Sequence, residues 1–155
     1  MKPRLNPYMI APDLAQLMID FGQKVQALGL EQSLIHLVEV RASQINGCAV
    51  CLDLHSCVAL KHGETPERIY MLDAWRESPL YSARERAALA WTEALTRLCE
   101  SGAPDDVYEQ LAAEFTPEEQ VKLTLMINVI NGFNRFGVGF RVPPLSADAP
   151  LKKAA

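Results

Sequence analysis

Leu14, Leu17, Met18, Phe21, Val25 and Leu28 recur at steps of three and four residues. That spacing predicts one apolar face of a helix, which Gly29 is placed to end. From Glu31 to Ile45 the apolar positions Leu34, Ile35, Leu37, Val38, Val40 and Ile45 fall on more than one side, so this helix should be mostly buried. Asn46-Gly47 accepts the left-handed backbone that closes a helix, and a new helix should run from Cys48 to about Lys61, before His62-Gly63. Thr65-Pro66-Glu67 reads as an N-cap with proline in the first turn, and Ser78-Pro79 disfavours continuation past Glu77. Ser82 to Glu85 is a capping box opening an Ala- and Leu-rich helix that Gly102 closes. A shorter helix should follow from Pro104 to Phe115. Thr116-Pro117-Glu118-Glu119 starts the last helix, through Gln120 to about Phe136, which is the most apolar and is expected at the centre of the fold.

No strand pattern competes with these helices, so the fold class is all-α. Length allows one domain with a hydrophobic core, placed at residues 1–142, and the Pro- and Ala-containing stretch 143–155 reads as a loosely held tail. Fifteen basic against nineteen acidic residues give a net charge of -4, which argues against nucleic acid or an anionic membrane as partner. Met1 to Ala15 carries Pro3, Pro7 and Pro12 and no long apolar run, so it reads as neither signal peptide nor membrane span. The expected compartment is the cytoplasm. There a close pair of cysteines is more often catalytic or metal-binding than a structural disulfide.

Cys48-Ala49-Val50-Cys51 is such a pair, followed by His55. Three residues of separation at a helix start put both thiols on one side, within reach of a disulfide. Unpaired N–H groups and the helix dipole favour thiolate there, and the thiolate is the nucleophile. Cys51 and His55 are spaced i, i+4, so the imidazole can take the thiol proton. A zinc site would need four ligands, and only one CxxC is present; Cys57 or His36 could complete a set only at atypical spacing. Haem attachment requires His where Leu52 stands, and a thioredoxin fold requires a βαβ context. Cys57 and Cys99 sit among apolar neighbours and read as buried and inert. His62 carries no assigned chemistry. Asn128, Asn131, Asn134 and Arg135 form a polar seam on the last helix, read as structural hydrogen-bonders in preference to site-lining groups.

Arg41-Ala42-Ser43-Gln44-Ile45-Asn46-Gly47-Cys48, with Cys51 and His55-Ser56, resembles the AhpD-like alkylhydroperoxidases of the carboxymuconolactone decarboxylase superfamily. Trp75 to Pro79, Ser82 to Leu89, Glu93 to Thr96 and Asn131-Gly132-Phe133-Asn134-Arg135 are similar to the family's middle and end, so the resemblance covers about residues 30 to 141. It implies an AhpD-like bundle of about six to seven helices, assembled as a trimer or hexamer. It also implies an antioxidant peroxidase without a bound cofactor. In that reading Cys51 attacks a hydroperoxide and Cys48 resolves the sulfenic acid into a disulfide. His55 relays protons, and an external dithiol, a lipoyl protein in one branch, restores the pair.

The family commonly carries Glu twelve residues before the first cysteine, where this chain has His36. Glu39, one turn later, could substitute, or His36 itself could act as base. Three other functions compete. They are thiol–disulfide exchange without peroxide, decarboxylation of a lactone with incidental thiols, and a zinc-stabilised interaction module.

Overall fold

The computed structural model describes residues 2–145, and all its regular elements are helical. Six helices have ten residues or more: α2 (Pro12–Gln26), α3 (Gln32–Asn46), α4 (Ala49–Lys61), α6 (Ala83–Thr96), α8 (Asp105–Glu114) and α9 (Pro117–Phe140). Three short ones, α1 (Pro7–Ile10), α5 (Pro66–Met71) and α7 (Leu98–Ser101), and a 3-10 turn at Leu72–Ala74 complete the set. The expectation of a loose tail falls, for residues 146–155, outside the described residues.

The punctuation acts where the sequence places it. Gly47 closes α3 at φ +63°. Thr65 Oγ1 accepts from the Arg68 N–H, and Ser82 and Thr116 each form a reciprocal capping box, with Glu85 and Glu119. The helix expected to run to Gly102 instead breaks at Arg97, and Leu98–Ser101 forms a separate turn that Gly102 ends in the left-handed conformation. The last helix runs one turn past the expected Phe136, to Phe140.

The central helix is α3, not α9. It packs on α4, α6 and α9, and residues Leu34 to Ser43 are all buried. Its apolar side chains enter every part of the core. Leu37 and Val40 meet Trp75 and Leu89, Leu34 and Val38 meet Leu111 and Leu123, Ile35 meets Met126, and Ala42 meets Ile130 and both CxxC thiols. The last helix leaves Val121, Asn128 and Val138 exposed, because one of its sides faces outward.

The predicted stripe on α2 is only partly buried. Val25 is in the core, but Leu14 and Leu17 are 68% and 67% exposed, and Phe21 and Leu28 are also exposed. The buried side of α2 is formed by Ala15, Gly22 and Val25, small enough for close contact with α9. A Cβ on Gly22 would stand 3.3 Å from both Val129 Cγ1 and Phe133 Cε2, so a side chain there would press on α9.

Candidate active site

Cys48 is the N-cap of α4 and Cys51 lies in its first turn. The turn is fixed because the Cys48 N–H donates to Ser43 O at 3.0 Å and the Leu52 N–H donates to Cys48 O at 2.9 Å. Both sulfurs are free thiols packed with Ala42 and Ile130. Cys48 is 0% exposed and Cys51 6%. Cys51, but not Cys48, lines a cavity of about 300 Å3 together with Tyr8, Val50, Leu54, His55 and Phe133. The walls are mainly apolar, so Cys51 is the sulfur a ligand in this cavity would meet.

The two thiols divide their protons unequally. Cys51 donates its S–H to Cys48, which lowers the Cys48 thiol to about 7 against the opposing effect of burial. The Cys51 backbone N–H, the Asn134 carboxamide and the charge of His55 add to the lowering. Cys51 is pushed up, first by the same thiol–thiol bond and then by burial, with Asn134 opposing. The Tyr8 hydroxyl is also pushed up, by burial and then by the two sulfurs, so it stays protonated beside the cavity.

Glu39 settles behind His55. Its Oε2 lies 3.0 Å from His55 Nδ1 and 3.5 Å from His36 Nδ1, and its Oε1 accepts from Gln26 Nε2 at 3.1 Å. Burial pushes this carboxyl up, and the neighbouring His36 and His55 more than reverse that, holding it at about 2. With Nδ1 engaged by Glu39, Nε2 is the His55 nitrogen left for the cavity. His36 stands on the far side of Glu39. Its ring packs on His62 at 5.1 Å between centroids, and among the described residues neither of its buried nitrogens has a hydrogen-bond partner. So of the two relay candidates, Glu39 touches His55 directly, and His36 reaches His55 only through Glu39.

The rest of the motif builds the frame. Arg41 Nε and Trp75 Nε1 each donate to Glu93 Oε1 at 2.8 Å, tying α3 to α6 and the segment between α5 and α6. Asn46 Nδ2 shares its two hydrogens among Ala42 O, Asn131 Oδ1 and Asn134 Oδ1, all within 3.0 Å. Asn134 Nδ2 donates to Ser43 Oγ at 3.0 Å, and that hydroxyl donates to Glu39 O at 2.7 Å. Asn131 and Asn134 are therefore structural hydrogen-bonders as expected, but Asn134 also faces both thiols. Asn128 and Arg135 are exposed, and Arg135 Nη1 donates to Asn131 O at 2.8 Å.

Gly137 was not singled out by sequence reasoning, and it is required here. A Cβ on it would stand 2.9 Å from Val50 Cγ1, 3.5 Å from Cys51 Sγ and closer still to Cys48 Sγ. The available signal is glycine inside an apolar helix, which marks a close approach. Tyr8 was also missed, since nothing local to α1 points toward residues forty positions away. Cys57 and Cys99 correct an expectation, because both are exposed. Cys57 lies on the outward side of α4, and Cys99 lies on the short α7 turn, where few neighbours can cover it. Among the described residues no group of three or more His, Cys, Asp or Glu could hold a metal ion, and no helix is long and apolar enough to cross a membrane.

Comparison with known proteins matches residues 12–94 to the carboxymuconolactone decarboxylase family. The chain is 38% identical to the uncharacterised protein YdfG of Bacillus subtilis, over 89% of this chain and 94% of that one. Its fold is similar to the crystal structure of an Agrobacterium tumefaciens protein of unknown function proposed to be an antioxidant defence protein AhpD. There the TM-score is 0.90 at 43% identity, covering 92% of this chain and 98% of that one. The debrominase Bmp8 shares the fold at a TM-score of 0.77 and 20% identity, over 86% of this chain and 72% of that one.

Proposed function

The chain belongs to the carboxymuconolactone decarboxylase family, on its AhpD-like side, and from that premise we propose that it is a thiol-dependent peroxidase acting on organic hydroperoxides in antioxidant defence. The observation that carries the reading is the asymmetry of the thiols. Cys51 lines the apolar cavity beside His55, and Cys48 is buried behind it at the helix N-cap.

In the fully reduced pair His55 receives the Cys51 proton, and Glu39 supports the imidazolium that results. The Cys51 thiolate attacks the terminal peroxide oxygen. An S–O bond forms, the O–O bond breaks, and the alkoxide leaves with the proton that His55 returns. Cys48 then attacks Cys51 Sγ. The S–S bond forms, the S–O bond breaks, and hydroxide leaves with the Cys48 proton as water. An external dithiol, possessing the two electrons and two protons this step needs, restores the pair; a lipoyl protein is the proposed donor. Glu39 takes the place of the Glu usual at position 36, because it is the carboxylate in contact with His55.

We also propose a homo-oligomer, a trimer or hexamer. The support is the uncovered apolar side formed by Met9, Ile10, Leu14 and Leu17, beside a groove lined by Leu5, Phe136 and Phe140.

One observation favours a second reading, thiol–disulfide exchange without peroxide. The lowered thiol is Cys48, the N-cap sulfur suited to that chemistry. An assay with an organic hydroperoxide and dihydrolipoamide separates the two. Peroxide consumption that depends on Cys51 supports the peroxidase. Exchange with a small disulfide donor, with no peroxide consumed, refutes it in favour of the second reading.

A further inference from the structure

We infer that Asn134 is a positioning residue for the thiol pair, presenting one locked amide N–H to whichever sulfur carries the negative charge. The inference goes beyond the peroxidase reading and holds for any redox chemistry at these thiols.

The orientation of the carboxamide follows from its neighbours. Asn46 Nδ2 donates to the Ala42 carbonyl at 3.0 Å, and Asn131 Nδ2 donates to the Ile127 carbonyl at 2.9 Å. A carbonyl oxygen can only accept, so the donor ends of Asn46 and Asn131 are fixed. Asn46 Nδ2 then meets Asn134 at 2.9 Å, and Asn134 must answer with its oxygen. Its nitrogen consequently faces Ser43 Oγ, which accepts one of the two hydrogens at 3.0 Å while donating its own to Glu39 O. Among the described residues no oxygen takes the second hydrogen of Asn134. Asn134 is 1% exposed, and its carboxamide stands near enough to Cys48 and Cys51 to lower both thiols as a donor. Position 137, one turn along α9, abuts the same two sulfurs, so this side of the helix is pressed onto the pair.

A buried thiolate needs donors, because water cannot reach it. Cys48 has the Cys51 N–H and S–H as well as Asn134. When Cys51 loses its proton to attack, the Cys51 S–H donor disappears and Asn134 remains as a donor common to both sulfurs. The titratable groups facing the pair are Tyr8 from α1, Glu39 from α3 and His55 from α4, whereas α9 contributes the amide, which does not titrate. Asn134 thus biases the pair toward the thiolate without adding a charge that would repel it.

The test titrates the thiols by ultraviolet thiolate absorbance and by iodoacetamide alkylation against pH, without peroxide, in a Cys57→Ser, Cys99→Ser background. Asn134→Leu keeps the shape and removes the donor, so the thiolate inflection should move up by about one pH unit or more, with about a tenfold loss of alkylation rate at neutral pH. Asn131→Leu breaks the same Asn46 network on its other branch and should leave the inflection in place. Should Asn134→Leu not fold, NMR of the unmutated side chain decides. The Asn134 amide resonances should titrate with the thiols and shift on disulfide formation, and those of Asn131 should not. An unmoved inflection in Asn134→Leu, an equal shift in Asn131→Leu, or Asn134 amide resonances indifferent to the thiols would overturn the inference. None of these outcomes depends on whether a peroxide is the substrate, so failure here and failure of the peroxidase reading remain distinguishable.

Discussion

A single methyl group at position 137 should disable the site, and the same methyl two residues later should not. In Gly137→Ala the new Cβ would lie 2.9 Å from Val50 Cγ1 and closer still to Cys48 Sγ. Carbon atoms in good contact stand about 3.5–4.0 Å apart, so the methyl of Val50 must retreat by roughly half an ångström or more, and the sulfur by more than that. Cys48 has nowhere to go, because it is fully buried against Ala42 and Ile130. Overpacking of this kind costs about 1–3 kcal/mol, against which alanine gains about 1 kcal/mol of helix propensity. In Gly139→Ala nothing among the described residues lies within 4 Å of the new Cβ, so only the propensity gain remains. Thermal unfolding should therefore place Gly137→Ala below Gly139→Ala by about 2–12 °C. Rapid-quench alkylation after oxidation should show Cys48–Cys51 closure slowed by about 10- to 100-fold in Gly137→Ala, since the sulfurs lose their alignment. A Gly137→Ala protein as stable as Gly139→Ala, closing its disulfide at the unmutated rate, would mean that α9 does not press on the thiols at position 137.

Glu39→Gln should slow the reaction of Cys51 with an organic hydroperoxide by at least about tenfold, read by stopped-flow fluorescence, since His55 loses its carboxylate. The same variant bears on acid stability. A carboxyl held at about 2, below its ordinary 4.5, stabilises the fold fully above about pH 4.5 and loses that contribution as pH falls toward 2. The loss amounts to at most about 3 kcal/mol, and urea midpoints measured across that window should show it in the unmutated protein and not in Glu39→Gln. Replacing both Leu14 and Leu17 by Glu should dissociate the proposed oligomer, read as a fall in mass by light scattering, with the helical circular dichroism retained. In the reduced protein Cys57 and Cys99 should be alkylated first, ahead of the buried pair, and Cys57→Ser with Cys99→Ser should leave peroxide turnover intact; mass mapping of the labelled cysteines checks this.

The fold was legible wherever a local signal decides the outcome. The capping boxes at Ser82 and Thr116, the left-handed Gly47 and the N-cap at Thr65 each fix an end by their own hydrogen bonds or backbone conformation. The thiol pair and the helix that begins beside it were legible for the same reason. What failed depends on neighbours distant in sequence. The α2 stripe looked like a core surface, but small residues let α9 approach on another side, leaving Leu14 and Leu17 outside. Apolar content suggested α9 as the centre, whereas α3 holds that place because its partners surround it. Cys57 and Cys99 looked buried from adjacent residues, yet exposure is set by which side of the helix is covered. Sequence also left His36 and Glu39 as rivals. Only the packing of α3 on α4 shows Glu39 against His55 and His36 one step behind it.

The central claim is the order of the thiols: Cys51 attacks and Cys48 resolves. Its most direct test is mass spectrometry of the fully reduced protein after slightly more than one equivalent of an organic hydroperoxide, with a sulfenic acid trap present. A Cys48–Cys51 disulfide is expected in the unmutated chain, a trapped sulfenic acid on Cys51 in Cys48→Ser, and no oxidation of Cys48 in Cys51→Ser. A sulfenic acid on Cys48 in Cys51→Ser, with Cys51 unmodified in Cys48→Ser, would contradict it.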